Sequence, residues 1–489
     1  MVTENTENLE QLYAGIFTEA ASVATAPILA LGVGILLFLL CDIVGPLRAA
    51  RKFAFLATIG VALATQVRIL TMDVAPGAVL DGTFSATPAT AMLGCVFLVG
   101  ALLAWAYGQG YYIESAPFKT EHDALILSST AGMLLMVGAT DWIVFFVGLE
   151  LLSIPLYALA AFQRSKRASV EAGVKYFLLG AFSSGLFLYG AALYFVSTGS
   201  LSLGALAGEA ATAPMTLAGL ALISASLFFK VSVFPFHMWV PDVYQGSPTP
   251  VTALMATGTK AAAFGFLVIQ LMPILPASAA SQVGVLALIT MALGNLGALV
   301  QSDLKRMLSY SGIAHAGALL LIVAGGLASG ETEGPTRAVV FYMVAYLFSA
   351  MGAFGILSLL EADGAHFTKL KSLRGLSQSR PALAAALGLF MLSLGGIPAT
   401  GGFLGKYFAF MVLVEADMIG IAMLGALMSV IALGYYLRVI VTLYMQPAEE
   451  GQESPTTTRP LSAGLATLIC ALFVLLTGLL PGLFLGPLS

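Results

Sequence analysis

Apolar runs of about twenty residues recur along almost the whole chain, separated by short stretches where glycine, proline and charge collect. No other feature limits the fold as tightly. A helix of that length spans roughly 30 Å of hydrocarbon, and lipid offers the backbone no hydrogen-bond partner, so only helices or closed barrels can cross it. The runs are too long, and too uniformly apolar, to be the alternating strands of a barrel, each about ten residues. Composition points the same way, with 9% of residues charged against about a quarter in soluble domains. An all-α membrane protein is therefore expected.

The runs place about 14 spans, near 21–44, 53–73, 88–113, 122–139, 141–162, 169–196, 216–239, 250–272, 282–300, 304–325, 336–361, 381–412, 418–445 and 461–482. With that count, most of the 21 basic residues fall on one side, including Arg48, Arg51, Lys119, Arg164, Lys166, Lys305, Arg306, Lys369, Arg380 and Arg459. Positive charge gathers on the cytoplasmic side of inner membranes, so both termini are expected on the periplasmic side of a bacterial inner membrane. The first residues, MVTENTENLE, lack the basic segment of a signal peptide, and the first span is expected to be retained. Cys41, Cys95 and Cys470 stand singly in apolar runs, a spacing that fits no iron–sulfur cluster, zinc site or disulfide framework. No dinucleotide fingerprint, phosphate-binding loop or haem attachment motif is present, so redox and nucleotide chemistry cannot be assigned to this chain. A net charge of −4 gives no reason to expect nucleic acid as a partner.

Charged residues inside spans carry the functional signal. Each costs about 2.5 to 3.5 kcal/mol at mid-bilayer and commonly marks an ion path. Four lie deep: Glu150 in FVGLELLSIPLY, Lys230 in FFKVSVFPFHMW, Lys260 in TGTKAAAFGF and Lys406 in GGIPATGGFLGKYF. Helix-stabilising ion pairs would account for one lysine, since only one carboxylate is present, and two lysines stay unexplained. A lysine out of water gives up its proton more readily than one in water, which suits it to proton transfer.

Lys175 lies nearer a span end, four residues after Glu171, and is open to either a helical ion pair or a role in the path. His237 follows Lys230 by seven residues, on the same face if the helix continues, with Pro235 loosening the backbone between them. A relay role and a structural one both fit it. His315, about eleven residues into its span, could carry a path toward Lys406. His122 and His366 are read as loop residues, and Arg68 and Arg438 as interface anchors.

Two spans contain breaks beside a lysine, one at Pro235 and one in the cluster Gly395, Gly396, Pro398, Gly401 and Gly402. The breaks lie five spans apart, a pattern of inverted-repeat transporters with sites at interrupted helices. This divides the chain into a three-helix segment at 1–121, five-helix repeats at 122–272 and 282–445, and a C-terminal loop and last helix at 446–489.

FFKVSVFPFHMWVPDVYQGSPTPVT at 228–252, followed by LMATGTKAAAFG, together with VEAGVKYFLLGAFSSG, SDLKRMLSYSGIAHAG and GGIPATGGFLGKYF, resembles the proton-antiporter-like membrane subunits of complex I. Within that family the likeness to subunit N is greatest. Subunits L and M typically carry alanine with histidine or methionine where this chain has Val243 and Tyr244, and M has glutamate in place of Lys406. Subunit L extends beyond the point where this chain stops. The resemblance implies proton translocation coupled to NADH:quinone oxidoreduction, with Glu150 and Lys230 as a coupling pair, Lys260 on the central axis and Lys406 in the outward half-channel. It also implies subunits K and M as neighbours, surrounding lipids, and flavin, iron–sulfur clusters and quinone on other subunits, with no cofactor in this chain. Three other readings stay open: a sodium/proton antiporter subunit, a purely structural subunit with paired lysines, and a solute carrier.

Overall fold

A computed structural model describes residues 18–44, 50–72, 75–111, 119–206, 212–361, 368–448 and 460–488. The acidic first residues, Arg48, His366, Arg459 and the side chain of Lys119 lie outside the described residues. The described chain is helical apart from one small hairpin, β1 (Gly77–Val79) and β2 (Phe84–Ala86), antiparallel with Ala78 opposite Ser85.

The helices run α1 (Glu19–Ile43), α2 (Arg51–Leu70), α3 (Pro88–Tyr111), α4 (Lys119–Gly138), α5 (Trp142–Ala160), α6 (Arg167–Thr198), α7 (Pro214–Val231) and α8 (Trp239–Gly246). There follow α9 (Thr249–Ile274), α10 (Ala280–Leu299), α11 (Leu304–Ser329), α12 (Glu333–Glu361), α13 (Pro381–Gly395), α14 (Gly401–Glu415), α15 (Ile419–Met445) and α16 (Leu461–Leu479). Their limits follow from local chemistry. Asp141 caps α5 by accepting from the Ile143 and Val144 amides, and Asp303 caps α11 through the Arg306 amide. Proline opens α3, α7 and α13, where its missing N–H is not needed, and glycine in left-handed conformation closes α6 and α11.

Twelve of these helices are long and apolar enough to cross a membrane. The fourteen expected spans are recovered with α4, whose first turn is polar, and with α13 and α14, two 15-residue helices where one interrupted span was expected. His122 does not lie in a loop as expected. The α4 helix begins earlier, and the His122 ring packs 5.1 Å from Phe162 while Nδ1 meets Asp123 at 3.0 Å.

Burial divides the bundle into a shaft and a coat. In α9 and α11, 94% of the most apolar stretch is buried, and in α12 all of it, against 33% for α1, α2, α6 and α16. The coat helices turn large apolar side chains outward, such as Leu36, Phe182 and Leu468, each more than half exposed. Lipid is the solvent such a surface needs. Trp142 locks part of the coat to the shaft, packing edge-on against Phe187 and Tyr194 of α6 and Phe266 of α9.

Candidate functional site

Both predicted breaks exist. The first falls at 232–238, between α7 and α8, and the second at 396–400, between α13 and α14. Each opens on a residue in the left-handed region, Ser232 (φ 66°) and Gly396 (φ 85°), which ends the preceding helix and turns the chain.

Lys230 sits one residue before the end of α7 and is 4% exposed. Its Nζ donates to Ser153 Oγ on α5 at 2.5 Å and lies between two rings, 5.6 Å from the centre of Tyr157 and 5.4 Å from that of Tyr176. An ammonium over aromatic faces recovers part of the solvation lost on burial. Glu150 lies three residues before Ser153, on the same face of α5, and its Oε1 accepts from Ser184 on α6. The expected coupling partners therefore lie on different helices, each on its own serine, Glu150 one turn along α5 from the serine that holds Lys230, with no N···O contact within 4 Å between the two charges.

Lys260 lies in the middle of α9, directly after the π-helical turn Met255–Thr259. Such turns widen the helix and frequently occur at functional sites. Its Nζ is fully buried, has no hydrogen-bond partner among the described residues, and stands 5.6 Å from the centre of the Tyr244 ring. Gly312 of α11 faces it: a Cβ there would lie 3.1 Å from Nζ and 3.4 Å from the Tyr346 hydroxyl.

Beyond Tyr346 the polar groups continue through α11. The His315 ring lies 4.9 Å from that of Tyr346, Nδ1 meets the Tyr342 hydroxyl at 2.7 Å, and Nε2 meets the Tyr436 hydroxyl at 3.1 Å. Tyr436 also bonds Ser311. His315 and Lys406 line one cavity of about 10 Å³, space for roughly a single water. Lys406 folds back across the second break, its Nζ donating to the carbonyls of Leu394 (3.1 Å) and Gly395 (2.8 Å) at the buried C-terminal end of α13. Carbonyls at a helix C-terminus are without intrahelical partners and carry partial negative charge, which suits a cation.

His237 departs from expectation. The α7 helix ends at Val231, so His237 does not share a helical face with Lys230; it is partly buried beside Phe234, and its Nδ1 has no hydrogen-bond partner among the described residues. Lys175 keeps the expected contact with Glu171 at 2.9 Å and adds one with Asp242 at 3.0 Å, its side chain 42% exposed. It belongs to a rim network with Arg306, which pairs with Asp242 at 2.8 Å. Arg438 caps α10, donating to the carbonyls of Leu299 and Gln301.

Sequence reasoning missed the hydroxyls. Ser153, Ser184, Tyr342, Tyr346 and Tyr436 lie against Lys230, Glu150 or His315, yet each residue type is ordinary in a membrane helix. The four-residue spacing of Tyr342 and Tyr346 was the available signal, since it puts both on one face of a helix. Lys305 was counted only among the basic residues of one side, and its burial was not foreseen: it is 3% exposed at the start of α11.

Residues 139–432, which hold both breaks and every deep charge, match the family model described as "NADH:quinone oxidoreductase/Mrp antiporter, TM". The chain is 38% identical to NADH-quinone oxidoreductase subunit N of Myxococcus xanthus over 94% of its own length and 95% of that protein's. It is 42% identical to subunit N of Trichlorobacter lovleyi over 80% of each chain. Among solved structures, a chain of respiratory complex I from Thermus thermophilus with bound aureothin superposes with a TM-score of 0.81 at 35% identity, covering 95% of this chain and 99% of that one. The chain thus belongs to the NADH:quinone oxidoreductase/Mrp antiporter family of membrane proteins, in its NADH-quinone oxidoreductase subunit N branch.

Proposed function

We propose that the chain translocates protons as the antiporter-like subunit N of the membrane arm of NADH:quinone oxidoreductase, driven by quinone reduction elsewhere in the complex. The path runs through Glu150, Lys230, Lys260, His315 and Lys406, with Lys175 at its rim and His237 at the first break. One observation carries this reading: ammonium, imidazole and hydroxyl groups collect inside the bundle, at Lys230 on Ser153, at Lys260 over Tyr244, at His315 between Tyr342 and Tyr436, and at Lys406 across the second break. Paired structural lysines are a poorer account, because Lys260 has neither an ion-pair nor a hydrogen-bond partner among the described residues.

Glu150 and Lys230 supply the coupling step. A carboxylate close to a buried ammonium holds the proton there, and drawing the two apart releases it. Ser184 and Ser153 give the separated groups somewhere to rest. A tenfold change in proton affinity is about 1.4 kcal/mol, and moving one charge against 100 mV takes about 2.3 kcal/mol, so a modest displacement has the required scale.

The end of the bundle bearing Arg51, Lys166, Arg167 and Lys369 faces the cytoplasm, which leaves both termini on the periplasmic side of a bacterial inner membrane. Residues 122–272 and 282–445 form two inverted repeats, flanked by the three-helix segment 1–121 and the C-terminal 446–489; the matching left-handed residue at each break supports this division. Subunits K and M adjoin the chain within the lipid, and flavin, iron–sulfur clusters and quinone are carried by other subunits.

The test is NADH-driven acidification of liposomes holding the whole complex. Lys230→Ala and Lys406→Ala are each expected to abolish most acidification per assembled complex while NADH oxidation by an artificial acceptor persists. Wild-type acidification by both variants overturns the reading, and a strict requirement for sodium favours a sodium/proton antiporter instead.

A further inference from the structure

At the end of the bundle that gathers the basic residues, a cavity of about 380 Å³ opens between α6, α8, α11 and the end of α12. Its rim is the ion network already described, in which Asp242 is held by Lys175 and Arg306. Thr368 donates to Asp303 at 2.5 Å, and the Leu304 amide donates to the Thr368 carbonyl, so the chain after α12 is fastened across the start of α11.

Two charged side chains line this cavity from deeper in the protein. The Lys305 side chain is 4% exposed and donates to the Ser247 carbonyl at 2.6 Å; the Glu361 side chain is 13% exposed, with Oε1 3.9 Å from Lys305 Nζ. The other oxygen, Oε2, accepts from Tyr111 at 3.2 Å and from Thr249. Stability alone gives a weak reason for this arrangement. Desolvating two charges offsets most of their attraction unless the geometry is close, and 3.9 Å lies beyond hydrogen-bond reach. Among the described residues Oε1 accepts no hydrogen bond, so this oxygen stays open to a donor while Oε2 fixes the carboxylate in place.

Glu361 also connects to the shaft. Thr249, its hydrogen-bond donor, is the first residue of α9, the helix that carries Lys260. Tyr244, whose ring lies beneath the Lys260 ammonium, accepts at its carbonyl from Thr252, one turn into the same helix. The eleven residues from Thr249 to Lys260 span about 16 Å of helix.

We propose that Glu361 is the proton-accepting carboxylate at the aqueous mouth of this cavity, that it supplies Lys260, and that Lys305 is its fixed counter-charge. An O–H bond forms at Oε1 from a hydronium in the cavity, leaving water; it breaks as water relays a proton to the neutral amine of Lys260, where an N–H bond forms. The assignment rests on the proton-path reading above and names where that path takes up its protons.

The test uses the assembled complex in liposomes, with acidification measured per assembled complex. Glu361→Gln keeps an oxygen for Tyr111 and Thr249 but cannot titrate, and is expected to slow acidification about tenfold or more. Lys305→Met with Glu361→Gln removes both charges, so no lone charge stays buried, and is expected to be as slow. Glu361→Asp is expected to recover part of the rate. A structural ion pair predicts the opposite for the double variant, and wild-type acidification by it overturns the assignment. Lys260→Ala is measured alongside: loss there with a fully active double variant sinks the role of Glu361 alone, whereas full activity of Lys260→Ala sinks the proton path itself.

Discussion

At the first break Lys230 precedes the gap and reaches across to a side chain, Ser153 on α5, whereas at the second Lys406 follows the gap and turns back onto two carbonyls of the helix just ended. The first site is assembled from three elements, since Tyr157 and Tyr176 of α5 and α6 flank the ammonium. The second is almost self-contained. One lysine therefore depends on neighbours that can move relative to it, with Glu150 a turn along α5 from its serine acceptor, and the other is held by the geometry of its own interrupted span. A group that receives a coupling signal needs the first kind of environment. A group that only passes a proton onward is served by the second.

The sharpest way to break this contrast is to disturb the second gap through its backbone. Gly402 lies in the first turn of α14, where a Cβ would fall 1.8 Å from the Ser393 carbonyl oxygen. Backbone cannot yield as a flexible side chain does, so Gly402→Ala is expected to destabilise the subunit by about 3 kcal/mol. Thermal unfolding of the detergent-purified complex, with the amount of assembled subunit, checks it. Wild-type stability would mean that α13 and α14 can slide apart, and that Lys406 is less firmly held than Lys230.

A smaller effect is expected at the first gap, where the partner is a side chain and can be removed alone. Ser153→Ala deletes the hydrogen-bond acceptor of Lys230 and leaves a buried polar group unsatisfied, at about 1 to 3 kcal/mol. Acidification is expected to fall with little change in assembly, because the hydroxyl's other bond, to the Leu149 carbonyl, lies within its own helix. No side-chain substitution can do the same to Lys406, whose acceptors are main-chain carbonyls. If Ser153→Ala pumps normally, Lys230 finds its partner elsewhere and the division of roles loses its basis.

The second site was more legible in the sequence than the first, for a physical reason. Glycine and proline clustered beside a charge, as at 395–406, announce a local structure, and the helix ends, reverses and resumes there as expected. The spans were legible for the same reason, because lipid enforces length and polarity on every helix. Lys230 was legible as a deep charge, but its surroundings were not. Ser153, Tyr157, Tyr176 and Ser184 lie 46 to 77 positions earlier in the chain and reach Lys230 and Glu150 only through packing of α5, α6 and α7. His237 was misplaced because periodicity was carried through a helix end, which the left-handed turn at Ser232 interrupts. The burial of Lys305 was not legible, because the sequence gives no sign that Glu361 lies near it.

The least costly change also bears on the two gaps, through the residue that opens each. Gly396 and Ser232 both adopt positive φ, but only glycine does so without a Cβ penalty, which for other residues is about 1 to 2 kcal/mol. Serine at 232 offsets part of that strain by bonding its hydroxyl to the Val231 carbonyl. Ser232→Gly relieves the Cβ strain, gives up that bond, and adds about 0.4 to 1 kcal/mol of unfolded-chain entropy to be lost on folding. These contributions oppose one another, so the net change in stability is expected to stay within about 0.5 kcal/mol, and acidification is expected to stay near wild type. Thermal unfolding and acidification of the same preparation measure both. A large loss of acidification at unchanged stability would show that the Ser232 hydroxyl takes part in the first site, and the first break would then differ from the second in its opening residue as well as in how it holds its lysine.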